Sequence, residues 1–182
     1  MPKYITIKDL ENYLLVDIDL SFYEQIEKWI EAAESSIEQI TGRVFVASEK
    51  ETRLYSGDGE RTLIIDDAQK IENVMINETK ITDFLTEPAN KLPITCLYRK
   101  AGWPRGRQNI KVEAIWGYSE EAPQDVKLAA TIMAANLVQA SSGDSNAKSI
   151  TMGRYSVTYP DEKSAEDMKI AEEILKKYQR YG

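Results

Sequence analysis

The side chains best suited to chemistry in this sequence are carboxylates in one central segment. Asp66 and Asp67 follow the apolar run TLII, and Glu51 and Glu60 precede it. Clustered carboxylates hold Mg²⁺ in nucleases, where the metal activates water. Adjacent aspartates after a strand more often form a turn or a helix cap, and no three carboxylates here have a recognisable ligand spacing. A carboxylate-dependent, Mg²⁺-dependent prophage nuclease is therefore the alternative function, and no metal site is predicted.

Two features of the composition lower the expectation of an enzyme. The chain has no histidine, so Ser-His-Asp and Cys-His machinery and His-metal sites are excluded. Its one cysteine, Cys96, lies in the apolar run LPITCLYRK, which favours a buried small hydrophobic residue. We therefore expect a protein without catalytic residues and without a cofactor.

The segment YSGDGERT, residues 55–62, has the composition of a ligand-binding loop. A phosphate loop would need Gly-Lys-Ser/Thr leading into a helix, and a calcium loop would need alternating acidic residues with a glutamate twelve along. Both signatures are missing. The segment is predicted to be the turn of a β-hairpin.

One basic cluster stands out, the segment RKAGWPRGRQ. It places Arg99, Lys100, Arg105 and Arg107 around Trp103. Such a loop could be solvated with the tryptophan tucked in, contact an acidic protein surface, or stack on nucleic acid. The sequence leaves these three alternatives open.

Composition narrows the class of protein. The 182 residues carry a net charge of −7, which opposes general nucleic-acid binding. No apolar run reaches the roughly 20 residues of a membrane span, and the N-terminus lacks the features of a signal peptide. We expect a protein made in the cytoplasm, with no membrane contact, that can stand near DNA without adhering to it.

Helical patterns occupy both ends of the chain. A capping box at Thr6 predicts a short helix near residues 6–15, and Ser21 is the predicted N-cap of a longer one. That helix has an apolar stripe from Phe22 to Ile40 and ends at Thr41-Gly42. An Ala-rich helix follows Pro123, and Met168, Leu175 and Tyr178 lie on the apolar face of a final helix, each stripe recurring with helical period.

Between these ends, short apolar runs alternate with turn signals. ETRLYSGDGERTLIID, KIENVMINETKI and LPITCLYRKAGWPRGRQNIKVEAIWGY each read as strands joined by loops, and they predict a small antiparallel sheet. The fold class is therefore α+β, a bundle of about four helices built from the chain ends. The predicted domains are a helical one, residues 1–48 and 119–182, and an inserted β-rich region, residues 49–118.

A strand-like segment, SITMGRYSVTYP, separates the last two helices. Its backbone groups need partners, because a strand cannot leave them unpaired in a packed interior. Either the inserted sheet or a neighbouring subunit could supply the partner. A subunit contact would use Tyr155, Val157 and Tyr159 by strand addition.

Four segments in order resemble the head-tail connector (adaptor) proteins of long-tailed bacteriophages and prophages. They are ITIKDLENYL, IEKWIEAAESSIEQITGRVF, IKVEAIWGYSEEAPQDVKLAATIMAANLV and MGRYSVTYPDE before a last helix. The matching features are Thr41-Gly42-Arg43, Gly117-Tyr118, Pro123 before the Ala-rich helix, and the Gly153/Tyr155-Ser156 strand. Residues 50–109 match least.

The resemblance implies a structural virion protein at the head-tail junction. Such a protein forms a homo-oligomeric ring under the portal, matching portal symmetry, extends the DNA channel, and docks a stopper or tail-completion protein. Double-stranded DNA would pass through without specific binding, and an anionic lining would repel its backbone. Another tail-completion factor is a further alternative. The expected contact residues are Trp103, Arg105 and Arg107 of the exposed loop, Tyr155, Val157 and Tyr159 of the strand, and Met168, Leu175 and Tyr178 of the last helix.

Overall fold

A computed structural model describes residues 3–141, 149–152, 155–158 and 161–180. The chain forms two compact units, one from Met1–Gly42 and Ala122–Gly182 and the other from Arg43–Glu121. The sequence put the domain boundaries at 48/49 and 118/119. The helices lie in the first unit and a six-stranded sheet in the second, so the predicted α+β fold class is confirmed.

The helical unit contains four α-helices among its described residues: α1 (Ile7–Leu14), α2 (Tyr23–Thr41), α3 (Gln124–Ser141) and α4 (Asp161–Lys176). The capping box of α1 forms as predicted. The Asp9 backbone N–H donates to Thr6 Oγ1 at 3.2 Å, and the Thr6 N–H donates to Asp9 Oδ2 at 2.7 Å. Helix α1 then ends at Leu15, which has a φ of +57°.

The start of α2 differs from the prediction. Asp19, not Ser21, makes the side-chain cap: its Oδ1 accepts from the Ser21 N–H at 2.9 Å, and a 3₁₀ turn at Leu20–Phe22 precedes the helix. Phe22 therefore lies outside the apolar stripe and is 41% exposed. The C-terminus ends as predicted at Gly42, with a φ of +66°.

The core of the helical unit comes from one face of each helix. Helix α3 packs against α1, α2 and α4, and small residues on it allow close approach. The carboxylate of Glu34 on α2 is buried and accepts the backbone N–H groups of Lys3, Tyr4 and Ile5. The fully buried residues of α2 and α3 include Ile26, Ile30, Ala33, Ile37, Val126, Ala129, Ala130 and Ala134.

The segment before α4 is a hairpin rather than a single strand. Strand β7 (Ser149–Met152) pairs antiparallel with β8 (Tyr155–Thr158), and Ile150 faces Val157 in the register. Each strand therefore has a partner in its own chain, which corrects the expectation that the segment must borrow one. Tyr159 and Gly153 lie outside the described residues.

The second unit is an antiparallel sheet of β1 (Lys50–Gly57), β2 (Thr62–Ile76), β3 (Thr79–Ile81), β4 (Leu85–Glu87), β5 (Ile94–Tyr98) and β6 (Gly106–Trp116). The strand order is β1-β6-β2-β5-β4, and β3 pairs with β2. The long strand β2 pairs with β5 through its first half and with β6 through its second, with register shifts in both ladders. One cluster of buried side chains, centred on Trp103, Trp116 and Leu97, forms its core.

The predicted hairpin at YSGDGERT is wrong. Strands β1 and β2 are separated by β6, so the Gly-Asp-Gly turn joins strands that do not pair with each other. The turn packs instead on the loop between β5 and β6. The Gly59 N–H donates to the Trp103 carbonyl and the Trp103 N–H donates to the Glu60 carbonyl, both at 2.8 Å.

In the part of the chain that the structure describes, no helix combines the length and apolar character needed to cross a bilayer.

Candidate interaction surfaces

The end of the chain, including the final helix α4, packs within its own chain through residues that were predicted to contact a partner. Leu175 is 1% exposed, in the core of the helical unit. The Tyr178 hydroxyl donates to the Asp125 carboxylate on α3 at 2.8 Å, and Met168 is half-buried. The Leu175 side chain is therefore not available to a partner, because α4 uses this face for intramolecular packing.

Trp103 is also not an exposed contact residue. Its side chain is fully buried in the sheet core, and its indole N–H donates to the carbonyls of Arg61 and Leu97, each at 3.1 Å. The tryptophan of the basic loop is therefore tucked into the sheet core, and only the flanking basic side chains are available to a partner. Burial and two hydrogen bonds make Trp103 the anchor that positions its flanking arginines.

Those flanking arginines stay on the surface. Arg105 and Arg107 are exposed, and the Arg105 Nε–H donates to the Asp58 carbonyl at 2.9 Å. The Arg99 N–H donates to the Arg61 carbonyl, which places Arg61 at the same end of the sheet. Together with exposed Lys100, these side chains form a cationic end of the sheet.

Arg99 itself is committed within this end. Its guanidinium forms an ion pair with Asp83 at 3.0 Å and donates to the Gly102 carbonyl at 2.9 Å. A hydrogen bond from Arg99 holds the pKa of the Asp83 carboxyl below its usual value. Arg99 therefore shapes the loop, while Arg61, Lys100, Arg105 and Arg107 face outward.

Beside the cationic end lies an apolar patch that sequence reasoning missed. Ile64 is 70% exposed and Leu85 is 66% exposed. In the register, Ile64 faces Cys96 and Leu85 faces Tyr98, which puts all four on the outer face of the sheet, opposite the buried Leu63 and Leu97. We call these four residues the sheet patch. The available signal was the alternation of a strand along TLIID. Leu63 and Ile65 point inward, so Ile64 between them points outward.

The Cys96 thiol is partly buried within this patch. It donates to Glu87 Oε2 at 3.5 Å, and burial, followed by that carboxylate, raises the pKa of the thiol. The cysteine is thus a half-buried member of an outer face, not the core residue that was predicted.

A second apolar surface was also missed, in the connection between α1 and α2. Leu15 is 89% exposed, Leu20 is 77% exposed and Phe22 is 41% exposed. We call residues 15–22 the apolar loop. The sequence signal was ambiguous. Phe22 continues the helical period of α2, but it is the last residue of the 3₁₀ turn and so does not lie on the apolar face of that helix.

Acidic side chains surround the apolar loop. Asp17 and Glu24 have side chains that are 75% and 86% exposed. Residues 1–42 contain nine acidic and three basic residues, a net charge of −6, whereas residues 122–182 contain eight of each. The negative charge of the helical unit is therefore carried by its first segment, residues 1–42.

The carboxylates considered for metal binding have other partners. Asp66 and Asp67 lie within β2 rather than in a turn or helix cap, so their side chains alternate between the two faces. Asp67 is buried and accepts from Arg43 at 2.7 Å, and Asp66 accepts from Arg53 at 2.8 Å and from the Tyr55 hydroxyl at 3.0 Å. In the described part of the chain, no group of three or more Cys, Asp or Glu side chains could hold a metal ion.

Comparison with known proteins identifies the family of this chain. A family model described as "Head completion protein" matches residues 3–181. The chain belongs to the head completion protein family. The resemblance to head-tail connectors noted in the sequence is thereby confirmed, and the nuclease alternative finds no support.

The fold of this head completion protein family member recurs in two solved particle necks. One is a chain in the neck of an empty gene transfer agent (GTA) particle computed with C6 symmetry, with a TM-score of 0.64, 9% identity, and coverage of 98% of this chain and 90% of that chain. The other is in the neck of a native GTA particle computed with C12 symmetry, with a TM-score of 0.60, 11% identity, and coverage of 100% and 96%. No curated protein sequence matches. At such identities the likeness shows the fold.

Proposed function

We propose that this protein is the connector ring at the head-tail junction of a phage or prophage particle. In this role a ring of identical subunits sits under the portal, extends the DNA channel and presents the surface on which a stopper or tail-completion protein docks. The observation that carries the proposal is the family match across residues 3–181. The fold shared with two neck chains, from reconstructions with C6 and C12 symmetry, supports the ring.

The protein acts as a structural component and not as an enzyme. Histidine is absent from the chain, and the best-placed carboxylates, Asp66 and Asp67, are neutralised by arginines. We therefore propose no cofactor. Before assembly the protein resides in the host cytoplasm, and afterwards at the head-tail junction of the virion.

The charge distribution suits a channel that carries DNA without binding it. Residues 1–42 hold the net charge of −6, and the exposed residues of α2 include Glu27 and Glu31. A surface of this sign repels the phosphate backbone. We place this face of α2 toward the lumen of the ring. A reconstruction of the assembled ring with these glutamates on its outer wall would contradict the assignment.

The decisive experiment mixes the purified protein with purified portal and images the complex by negative-stain microscopy. We expect an additional ring on the tail-proximal side of the portal, and co-purification of the protein with portal rather than with tail tube. Association with tail tube alone would instead assign the protein to tail completion. Mg²⁺-dependent DNA cleavage abolished by Asp66→Asn would overturn the structural role altogether.

A further inference from the structure

We propose that neighbouring subunits meet head to tail, with the apolar loop of one copy docked on the sheet patch of the next copy. The inference rests on the proposed ring, and it names the two surfaces that build it. Both surfaces are exposed in the described chain, and they belong to different units of the subunit.

The apolar loop breaks two rules for a solvent-facing turn. Leu15 occupies a left-handed backbone position, with a φ of +57°, where glycine or asparagine is favoured. Its side chain is also 89% exposed, and Leu20 beside it is 77% exposed. Two leucines this exposed, close together in the chain, are expected where another surface covers them.

The sheet patch is the matching receptor. The cross-strand register places Ile64 on β2 and Leu85 on β4 either side of the β5 residues Cys96 and Tyr98, so the patch spans three strands. Strands hold side chains at fixed spacing, which makes the patch a rigid platform about 10 Å across, two strand spacings. Such a platform can receive a protruding loop of two leucines.

Charge complementarity selects a second copy as the occupant. The apolar loop is flanked by the exposed carboxylates of Asp17 and Glu24, which form ion pairs with Lys8 at 3.9 Å and with Lys28 at 2.9 Å. Residues 8–28 contain six acidic and two basic residues, so the surroundings of the loop stay net negative. The sheet patch adjoins the cationic end of the sheet. There the four exposed basic residues outnumber the acidic Asp58 and Glu60; the basic residues are Arg61, Lys100, Arg105 and Arg107. The acidic rim of the apolar loop attracts the net cationic rim of the sheet patch, and this attraction favours the docked arrangement in which the leucines lie on the patch.

The geometry also has the right symmetry. A contact between two different surfaces of the same subunit is heterologous, and repetition of a heterologous contact closes into a ring when the rotation permits. A patch that contacted its own copy would give a dimer instead. Loop-to-patch docking is therefore the type of contact, heterologous, that the proposed ring requires.

Cross-linking inside particles tests the contact directly. Chains carrying Leu20→Cys and Leu85→Cys in a Cys96→Ser background are assembled into particles and treated with a short bifunctional maleimide. We expect a ladder of cross-linked multimers on denaturing gels. Either cysteine alone should give no ladder, and Leu137→Cys combined with Leu85→Cys, which moves the first cysteine to α3, is the matched control.

The outcomes separate this inference from the proposed function. Particles that contain the protein but yield no ladder from the cysteine pair overturn the loop-to-patch contact and leave the connector assignment standing. Particles that never contain the unmodified chain overturn the connector assignment. A dimer from Leu20→Cys alone would show a self-complementary contact and also overturn the inference.

A charge exchange provides a second, independent test. Asp17→Lys with Glu24→Lys makes the loop basic, and Arg105→Glu with Arg107→Glu makes the patch acidic. Each variant alone should be incorporated into particles at least tenfold less than the natural chain, because like charges then face each other. An equal mixture of the two, and one chain with all four changes, should restore incorporation.

The same variants also test two competing assignments, a contact of the arginines with DNA and a contact of the loop with the portal. If Arg105→Glu with Arg107→Glu is incorporated normally but alters DNA retention, the cationic end faces DNA and the inference fails. If the basic-loop variant, Asp17→Lys with Glu24→Lys, loses portal binding while the protein still assembles into rings, the loop belongs to the portal contact and the inference also fails.

Discussion

Replacement of Trp103 distinguishes a residue that holds the fold from one that contacts a partner. We expect Trp103→Phe to destabilise the protein and to leave the partner surface intact. The indole fills the core of the sheet and its N–H donates to two backbone carbonyls, from Arg61 and Leu97. Phenylalanine keeps most of the apolar contact and removes both hydrogen bonds.

The size of the effect follows from these contacts. The single indole N–H is shared between the two carbonyls, so its loss costs about 1 kcal/mol net, and the smaller phenyl ring costs about 1 kcal/mol more in lost apolar burial, about 2 kcal/mol together. Truncation to alanine also leaves a cavity at a fully buried site, and it should cost about 3–5 kcal/mol. A tryptophan on an exposed loop would instead give changes within about 0.5 kcal/mol for either substitution.

Urea unfolding, followed by far-UV circular dichroism and fluorescence, measures the difference. With a slope of about 2 kcal/mol/M, Trp103→Phe should lower the midpoint by about 1 M. Arg105→Ala, at an exposed position two residues after Trp103 in the same loop, is the matched control and should leave the midpoint unchanged. A normal midpoint for Trp103→Phe combined with lost incorporation into particles would refute the core assignment.

Other perturbations test the ends of the chain. Deletion of Asp161–Gly182 should abolish portal attachment in a pull-down, and retained binding by the truncated chain would remove α4 from the portal contact. Val157→Pro removes a backbone donor from the β7–β8 hairpin, so it should reduce particle incorporation more than it lowers the melting temperature; the reverse order would make the hairpin a folding element. The backbone N–H of Ile18 holds the pKa of Glu11 below its ordinary value of 4.5, so stability should fall as pH drops through the folded-state pKa, and Glu11→Gln should flatten that dependence in acid titrations.

The helices were predictable because local signals agreed with the tertiary structure. The Thr6 capping box and the glycine after Thr41 satisfy backbone groups within a few residues, so the sequence alone specifies those helix ends. The start of α2 was not predictable in the same way. Asp19 and Ser21 are both good N-cap residues, but Asp19 caps a 3₁₀ turn that contains Ser21 and precedes the helix.

The sheet topology could not be read from local patterns. A Gly-Asp-Gly turn between two strands normally indicates a hairpin, yet β6 inserts between β1 and β2 after a separation of about 50 residues in the chain. Pairing at that range depends on which apolar faces meet, and single segments do not encode it. The same reason explains why Asp66 and Asp67 were assigned to a turn while they lie in β2.

Contact residues were harder to predict than the fold, because aromatic and apolar side chains serve cores and interfaces alike. Trp103 and Leu175 have the residue types of an interface, but both are buried in their own chain. Leu15 and Ile64 have the residue types of a core, but both are exposed. Burial separates the two uses, and burial depends on tertiary structure.

The hairpin of β7 and β8 shows where a ring would add stability that one subunit lacks. A two-stranded sheet is marginal in water, since three or more strands or a packed helix are needed for independent stability. In the described part of the chain this hairpin pairs with no third strand. Its outer edges keep backbone donors and acceptors that a neighbouring subunit can pair with. The intramolecular partner therefore changes the question about this segment from what pairs with a lone strand to what extends a hairpin. We propose that a neighbouring subunit of the ring supplies that extension.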